Sequence, residues 1–286
     1  MKKKVIFVLI DALRSDYISS QDSPFLHRFS QENTYYESVV QSRSFCERAE
    51  IFTGLSPRES GYFTAIGFDP VNSPYRNLTF GGYFAYLDSL LIKKSFYRKV
   101  RNKVLRFLVR NNRVKMSSYS IPLDFLKFFS LTEDGFDFRD NDAFEGRRNL
   151  FKDCAQNNVR LFYESFTALN FTNAHTDEER IKLVESSFGS DYDLYMTYIG
   201  VMDSCAHRHG PDSAERKDAL RKLDKRLEIF YKRISLKDPN ASFIFLGDHG
   251  MCPVHGNIDV GQILNEKALA NGFTRGKDFI YFLDST

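Results

Sequence analysis

Three carboxylates in this chain stand where an apolar run stops abruptly. Val5 to Ile10 (VIFVLI) ends in Asp11, Tyr195 to Met202 (YMTYIGVM) ends in Asp203, and Ser242 to Gly247 (SFIFLG) ends in Asp248. Continuous β-branched and aromatic runs of this length read as strands buried on both faces of a parallel sheet. An acid at the carboxyl end of such a strand is poorly placed for packing. It is well placed to hold a ligand, because sites in open α/β sheets collect there. Two of the acids have an imidazole at hand: His249 follows Asp248 directly, and His207 lies four residues after Asp203, on the same side if a helical turn intervenes. Oxygen and imidazole donors together suit Zn²⁺ or Mn²⁺ better than Mg²⁺ or Ca²⁺. There are enough of them for two ions about 3.5–4 Å apart, which stabilise both the entering and the leaving oxygen of a phosphoryl displacement. Simpler roles compete at each position. Asp11 can cap a helix starting at Ala12, and Asp248-His249-Gly250 can be a polar strand-to-loop corner.

A hydroxyl joins this set at Ser44, in Ser44-Phe45-Cys46-Glu47-Arg48-Ala49-Glu50-Ile51-Phe52-Thr53-Gly54. Ala49 to Phe52 suits a short helix that Gly54 stops and Pro57 keeps from resuming. A serine at the mouth of such a helix faces backbone N–H groups and the positive end of the dipole, where an alkoxide or an anionic ester is stabilised. The same serine could simply cap the helix. Arg48 can be a surface partner for Glu47 or Glu50.

The elements that must position these residues follow from the patterning. A strand, loop, helix, strand order around Asp203 and the helix over Ala214 to Ile234 argue for parallel pairing with right-handed crossovers. The fold class expected is α/β, a mostly parallel central sheet with helices on both faces and an inserted, largely helical basic lobe. Its core spans about 1–84 and 191–286, and the lobe spans 85–190. Residues 35–43 could add a short strand, Leu161 to Leu169 another, and Thr176 opens a well-capped helix to Ser187. Residues 92–115 carry ten Lys or Arg and no acid, with Phe96, Val100, Val104, Leu105, Phe107 and Leu108 at helical spacing. This basic amphipathic helix is a solvated lobe face, a cationic wall for a phosphorylated substrate, or a peripheral contact to anionic lipid.

Composition narrows the class further. The 286 residues suffice for one large core, and the net charge of +3 implies no nucleic-acid polymer as partner. Mean hydropathy is −0.39, and no window approaches the roughly 20 apolar residues of a membrane span. Lys2 to Lys4 before an apolar run resemble a signal peptide, but Asp11 interrupts the run and no small-residue cleavage site follows. Cys46, Cys154, Cys205 and Cys252 form no CxxC pair and are expected as reduced thiols. The expected compartment is cytoplasmic.

Together, VIFVLIDALRSD, SFCERAEIFTGLSP, DSCAHRHGP and FLGDHGM resemble the alkaline phosphatase superfamily, in its type I phosphodiesterase/nucleotide pyrophosphatase branch. The resemblance implies a metal-dependent phosphoric ester hydrolase holding two divalent ions, Zn²⁺ first and Mn²⁺ second. Asp11, Ser44, Asp248 and His249 would hold one ion, and Asp203 and His207 the other. Ser44 would be the nucleophile of a phosphoserine intermediate. The resemblance makes Arg48 equally a candidate for an oxyanion contact. Substrates would be small-molecule, glycan-linked or lipid-linked phosphate esters. A sulfatase, a phosphotransferase acting on glycan or lipid head groups, and a non-catalytic binding protein are the alternatives. The sequence departs from the pattern in three places. No proline stands two residues after Ser44, no asparagine answers the phosphoryl-binding one near Gly61 to Ala65, and no further histidine lies well downstream of His249. The chain stops at Thr286 inside an apparent strand, Phe279 to Leu283. A truncation before that histidine is the first expectation, and a substitute role for His255 the second.

Overall fold

A computed structural model describes residues 3–38, 47–60, 66–92, 94–109, 121–131, 146–164, 175–256, 273–275 and 280–282. By internal contacts the chain forms two compact units: residues 1–42, 50–54 and 141–254, and residues 43–49, 55–140 and 255–286. In chain order, the described elements up to the second unit's strand pair are β1 (Val5–Ile10), α1 (Pro24–Glu32), α2 (Glu47–Thr53), α3 (Pro57–Ser60), β2 (Ile66–Phe68), α4 (Gly82–Leu91), α5 (Ser95–Val109), α6 (Leu123–Leu126) and β3 (Phe129–Leu131). They continue with α7 (Leu150–Gln156), β4 (Leu161–Tyr163), α8 (Asp177–Ser187), β5 (Leu194–Ile199), α9 (Val201–His209), α10 (Ala214–Lys237), β6 (Ser242–Gly247), β7 (Phe273–Arg275) and β8 (Ile280–Phe282).

The first unit is built on a four-stranded parallel sheet in the order β4-β5-β1-β6. Alternation along β1 sends Ile6, Val8 and Ile10 to one face. There they join a buried cluster with Phe25 and Leu26 of α1, Ile181 and Val184 of α8, and Leu220, Leu227 and Phe230 of α10. Phe243 and Phe245 of β6 extend this packing, with Tyr231 4.9 Å from Phe243 by ring centroids. A buried Asp224 on α10 accepts from the backbone N–H groups of Phe25 at 2.9 Å and Leu26 at 2.8 Å, so one helix caps the start of another. Burial pushes the Asp224 carboxyl above its usual range, against the pull of those two N–H donors.

The second unit has its own small core of Tyr75, Leu105, Ile121, Leu123, Leu126 and Phe129, beside the antiparallel pair β2–β3. Its α4 and α5 are joined by Asp88, which pairs with the Arg101 guanidinium at 2.8 Å and accepts from the Tyr97 hydroxyl at 2.9 Å. Burial and the Asp88 contact raise the Tyr97 hydroxyl to about 12. β7 and β8 form a second antiparallel pair.

The α/β class and the parallel core strands agree with the sequence reading, and several details differ. The third core strand ends at Ile199, so Asp203 lies in the first turn of α9 and not at a strand end. The apolar Val201 and Met202 belong to that helix; a short apolar run alone cannot tell a strand from a buried helical turn. β6 has one strand neighbour among the described residues, which leaves Ile244 45% exposed instead of doubly buried. The segment 85–190 is not one lobe: β4 pairs with β5, and α7 and α8 belong to the first unit, whereas residues 255–286 group with the second. Residues 34–38 form no strand, and 39–43 lie outside the described residues. β4 covers only Leu161–Tyr163 of the longer strand expected there. Pro57 starts α3 instead of blocking a helix, because a first-turn residue needs no N–H partner.

Removing the Asp224 carboxylate leaves two helix-terminal N–H groups buried without their acceptor. Asp224→Ala should lower unfolding stability by about 2–4 kcal/mol, read from urea midpoints at unchanged m-value.

Candidate functional site

The register of the sheet brings the chemistry together. In the parallel pairing, Ile10 of β1 stands opposite Gly247 of β6 on one side and Ile199 of β5 on the other. The next residues are therefore neighbours: Asp11 after β1, Asp248 after β6, and Gly200 at the entry of α9. Ligand atoms of Asp11, Asp248 and His249 all lie within 4.8 Å of one another. The His249 Nε2 is 2.9 Å from Asp11 Oδ1 and 3.9 Å from Asp248 Oδ1. The carboxylates are nearly closed off from water, Asp11 at 5% exposure and the Asp248 side chain at 2%.

The backbone around them is shaped to the same end. Ala12 takes a left-handed φ of 59°, which few non-glycine residues adopt. In that conformation its N–H donates to Asp248 Oδ1 at 3.1 Å, and the His249 N–H donates to the same oxygen at 2.9 Å. A non-glycine residue costs of order 1–3 kcal/mol in such a conformation and persists only where its surroundings fix it. The Tyr198 hydroxyl, on the same pleat face as Asp11, donates to Asp11 Oδ2. Tyr198 is held in turn by Arg180, whose guanidinium lies 5.1 Å from its ring centroid and donates to its carbonyl. Arg14 ties the two loops: its Nη1 donates to the Met251 carbonyl at 2.7 Å, and its ion pair with Asp16 raises its pKa.

Asp203 and His207 form a second pair one turn apart on α9, His207 Nε2 lying 3.2 Å from Asp203 Oδ1. The entry to α9 is anchored by Asp177, whose carboxylate accepts from the N–H groups of Gly200 at 3.1 Å and Val201 at 2.9 Å. The pair is not within the compact Asp11–Asp248–His249 group. Ser44 lies outside the described residues. Arg48 lies on α2, half-buried, and His255 is exposed in the second unit. Cys154, Cys205 and Cys252 are free thiols, and burial pushes Cys154 up. The sequence reading did not find Tyr198, Ala12 or Asp177. Strand alternation could have placed Tyr198 on the Asp11 face, but the left-handed Ala12 carries no sequence signal at all.

The family model "Type I phosphodiesterase / nucleotide pyrophosphatase" matches residues 5–285, and the chain belongs to that family, within the alkaline phosphatase superfamily. It is 25% identical over 270 residues to GPI ethanolamine phosphate transferase 2 of Debaryomyces hansenii, covering 91% of this chain and 25% of that protein. It is 29% identical over 153 residues to GPI ethanolamine phosphate transferase 1 of Candida glabrata, covering 46% of this chain and 16% of that protein. Ectonucleotide pyrophosphatase/phosphodiesterase family member 7 of Mus musculus is 38% identical over 69 residues, 23% of this chain and 15% of that protein. The chain thus spans a quarter or less of the length of these relatives.

The close approach of the strand ends depends on two glycines to different degrees. A Cβ on Gly247 would lie 2.1 Å from the Leu13 carbonyl oxygen, whereas one on Gly250 would meet Arg14 Cγ at 2.8 Å, part of a flexible side chain. Gly247→Ala should therefore cost about 3 kcal/mol or more and Gly250→Ala about 1 kcal/mol or less, measured by urea unfolding. Equal costs would contradict this geometry.

Proposed function

We propose that this chain cleaves phosphate esters by metal-dependent phosphoryl transfer to Ser44. The observation that carries the reading is the group Asp11, Asp248 and His249, joined at the ends of two adjacent parallel strands with ligand atoms within 4.8 Å. Two carboxylates buried side by side repel each other and call for a cation, and two carboxylate oxygens with one imidazole fit Zn²⁺ or Mn²⁺. Bound there, a divalent ion supplies Lewis-acid charge neutralisation and lowers the pKa of a serine hydroxyl. Asp203 and His207 are the ligands proposed for a second ion.

In this reading the Ser44 hydroxyl oxygen attacks phosphorus, and the bond from phosphorus to the leaving alcohol breaks as the serine ester forms. The serine proton leaves the attacking oxygen, and the departing alkoxide gains a proton. Water then hydrolyses the phosphoserine and restores the hydroxyl. Arg48 is proposed to donate to a non-bridging phosphate oxygen. Tyr198 is proposed to position Asp11 through its hydroxyl. A phosphotransferase is the second reading, favoured by similarity along 91% of the chain to GPI ethanolamine phosphate transferase 2. It shares the first step and replaces water by an acceptor hydroxyl on a glycan or lipid head group.

An aryl phosphodiester, an aryl phosphomonoester and an aryl sulfate, each with Zn²⁺ and with Mn²⁺, test the reaction class. Phosphate ester cleavage without sulfate ester cleavage is expected. Release to an added glycan alcohol in preference to water would favour the transferase reading. Ser44→Ala should abolish turnover while the protein stays folded; retained turnover would move the nucleophile elsewhere.

Metal content tests the site apart from turnover. Asp248→Asn should lose bound metal and the rise in melting temperature on adding Zn²⁺. Tyr198→Phe should keep the fold and weaken Zn²⁺ binding by about tenfold, the usual effect of removing a partner of a ligand. Unchanged melting of the parent protein with either ion would sink the metal reading.

A further inference from the structure

The second unit carries a surface that neither catalysis nor its own core explains. On α5 the side chains of Tyr97, Arg101 and Leu105 turn toward that unit's interior, Tyr97 and Arg101 meeting Asp88 of α4. A neighbouring stripe of the same helix, Phe96, Val100, Val104, Phe107 and Leu108, is left in solvent, with Phe96 at 81% and Phe107 at 76% exposure. These residues follow one another at helical-turn spacing, so they form one continuous apolar strip. On α4, Tyr83, Phe84, Tyr86 and Leu90 are also exposed. An exposed aromatic strip this long marks an interaction surface and not ordinary scatter.

Charge selects the partner. Lys94, Lys99 and Lys103 are exposed around the strip, and Arg98 is half-buried. Across 92–115 the sequence has ten Lys or Arg and no acid. Among the described residues of this stretch the one buried cation, Arg101, is neutralised internally by Asp88, whereas Lys94, Lys99 and Lys103 are exposed. A protein partner core depletes lysine. A helix with aromatic and aliphatic residues on one face and lysines beside it suits the boundary between headgroups and acyl chains. There the rings enter the boundary while lysine stems lie along apolar surface with their ammonium groups at lipid phosphates.

The geometry points to α5, with the exposed aromatic residues of α4, as a docking surface for an anionic phospholipid membrane. Binding of this kind is peripheral; no described helix is long and apolar enough to cross a membrane. The surface is independent of the proposed chemistry, because its assay reads partitioning and not turnover.

Sedimentation with vesicles of pure phosphatidylcholine and of phosphatidylcholine with phosphatidylserine tests it on the full chain. Binding should occur to the anionic vesicles, be at least about tenfold weaker to the neutral ones, and fall as salt is raised. Phe96→Ser/Phe107→Ser and Lys99→Glu/Lys103→Glu should each reduce binding about tenfold or more while circular dichroism and melting stay those of the parent. Because these side chains are exposed, the variants should fold; a double change on α10 of the first unit, where Lys217 and Lys225 are exposed, Lys217→Glu/Lys225→Glu, controls for net charge and should bind as the parent does. No binding to anionic vesicles at low salt would overturn the proposal. So would equal loss in the α10 control, or a concentration-dependent dimer abolished by Phe96→Ser/Phe107→Ser, which would assign the strip to a second copy.

Discussion

Two carboxylates held against each other out of water are the constraint on which the first unit depends. Parallel register brings Asp11 and Asp248 side by side, since β1 and β6 align Ile10 with Gly247 and both chains turn off at the next residue. Burying charges of like sign is costly, and the cost grows as water is excluded. The surroundings offset part of it with fixed donors: the Ala12 and His249 N–H groups on Asp248, the Tyr198 hydroxyl on Asp11, and the His249 ring beside both. Two carboxylate oxygens and one imidazole in this arrangement are the donor set on which the cation proposed above rests.

The packing around that corner serves precision more than stability. A left-handed Ala12 and a glycine at 247 let the loops after two strands approach closely enough for a backbone N–H to reach a carboxylate. Arg14 then fastens the turn after β1 to the loop after β6 at Met251. On the other flank, Asp177 of α8 caps α9 and so orients the helix that carries Asp203 and His207. The hydrophobic cluster beneath the sheet, from Ile6 to Ile234, supplies the rigid base on which these few polar contacts can hold their distances.

Polar anchoring recurs away from the site. Asp224 caps α1 from α10, and Asp88 gathers Tyr97, Arg101 and the Leu123 N–H in the second unit. Each is a buried acid satisfied by several donors, in keeping with the high cost of leaving such a group unpaired. The exposed strip on α5 stands out because its helix is so firmly anchored on the side facing Asp88. The anchoring keeps the apolar residues turned outward and prevents them from folding back into the small core.

Much of the site was legible from residues alone. VIFVLID and FIFLGDHG each state a buried strand and the acid that ends it, because apolar composition and an abrupt charge are local features. The α/β class followed from their alternation with helices, and the Asp203–His207 pairing from helical spacing. The family model matches residues 5–285, a span that contains these motifs. Tertiary structure alone decided the rest. It ended the third strand at Ile199 and turned Val201 and Met202 into a helix, because Asp177 from a distant helix satisfies the N–H groups there. It joined β4 to the main sheet, against a lobe boundary drawn from composition. It also chose Tyr198 as the partner of Asp11 and bent Ala12 into a left-handed turn. Those outcomes depend on register and on contacts between residues far apart in the chain, and local sequence carries no record of either.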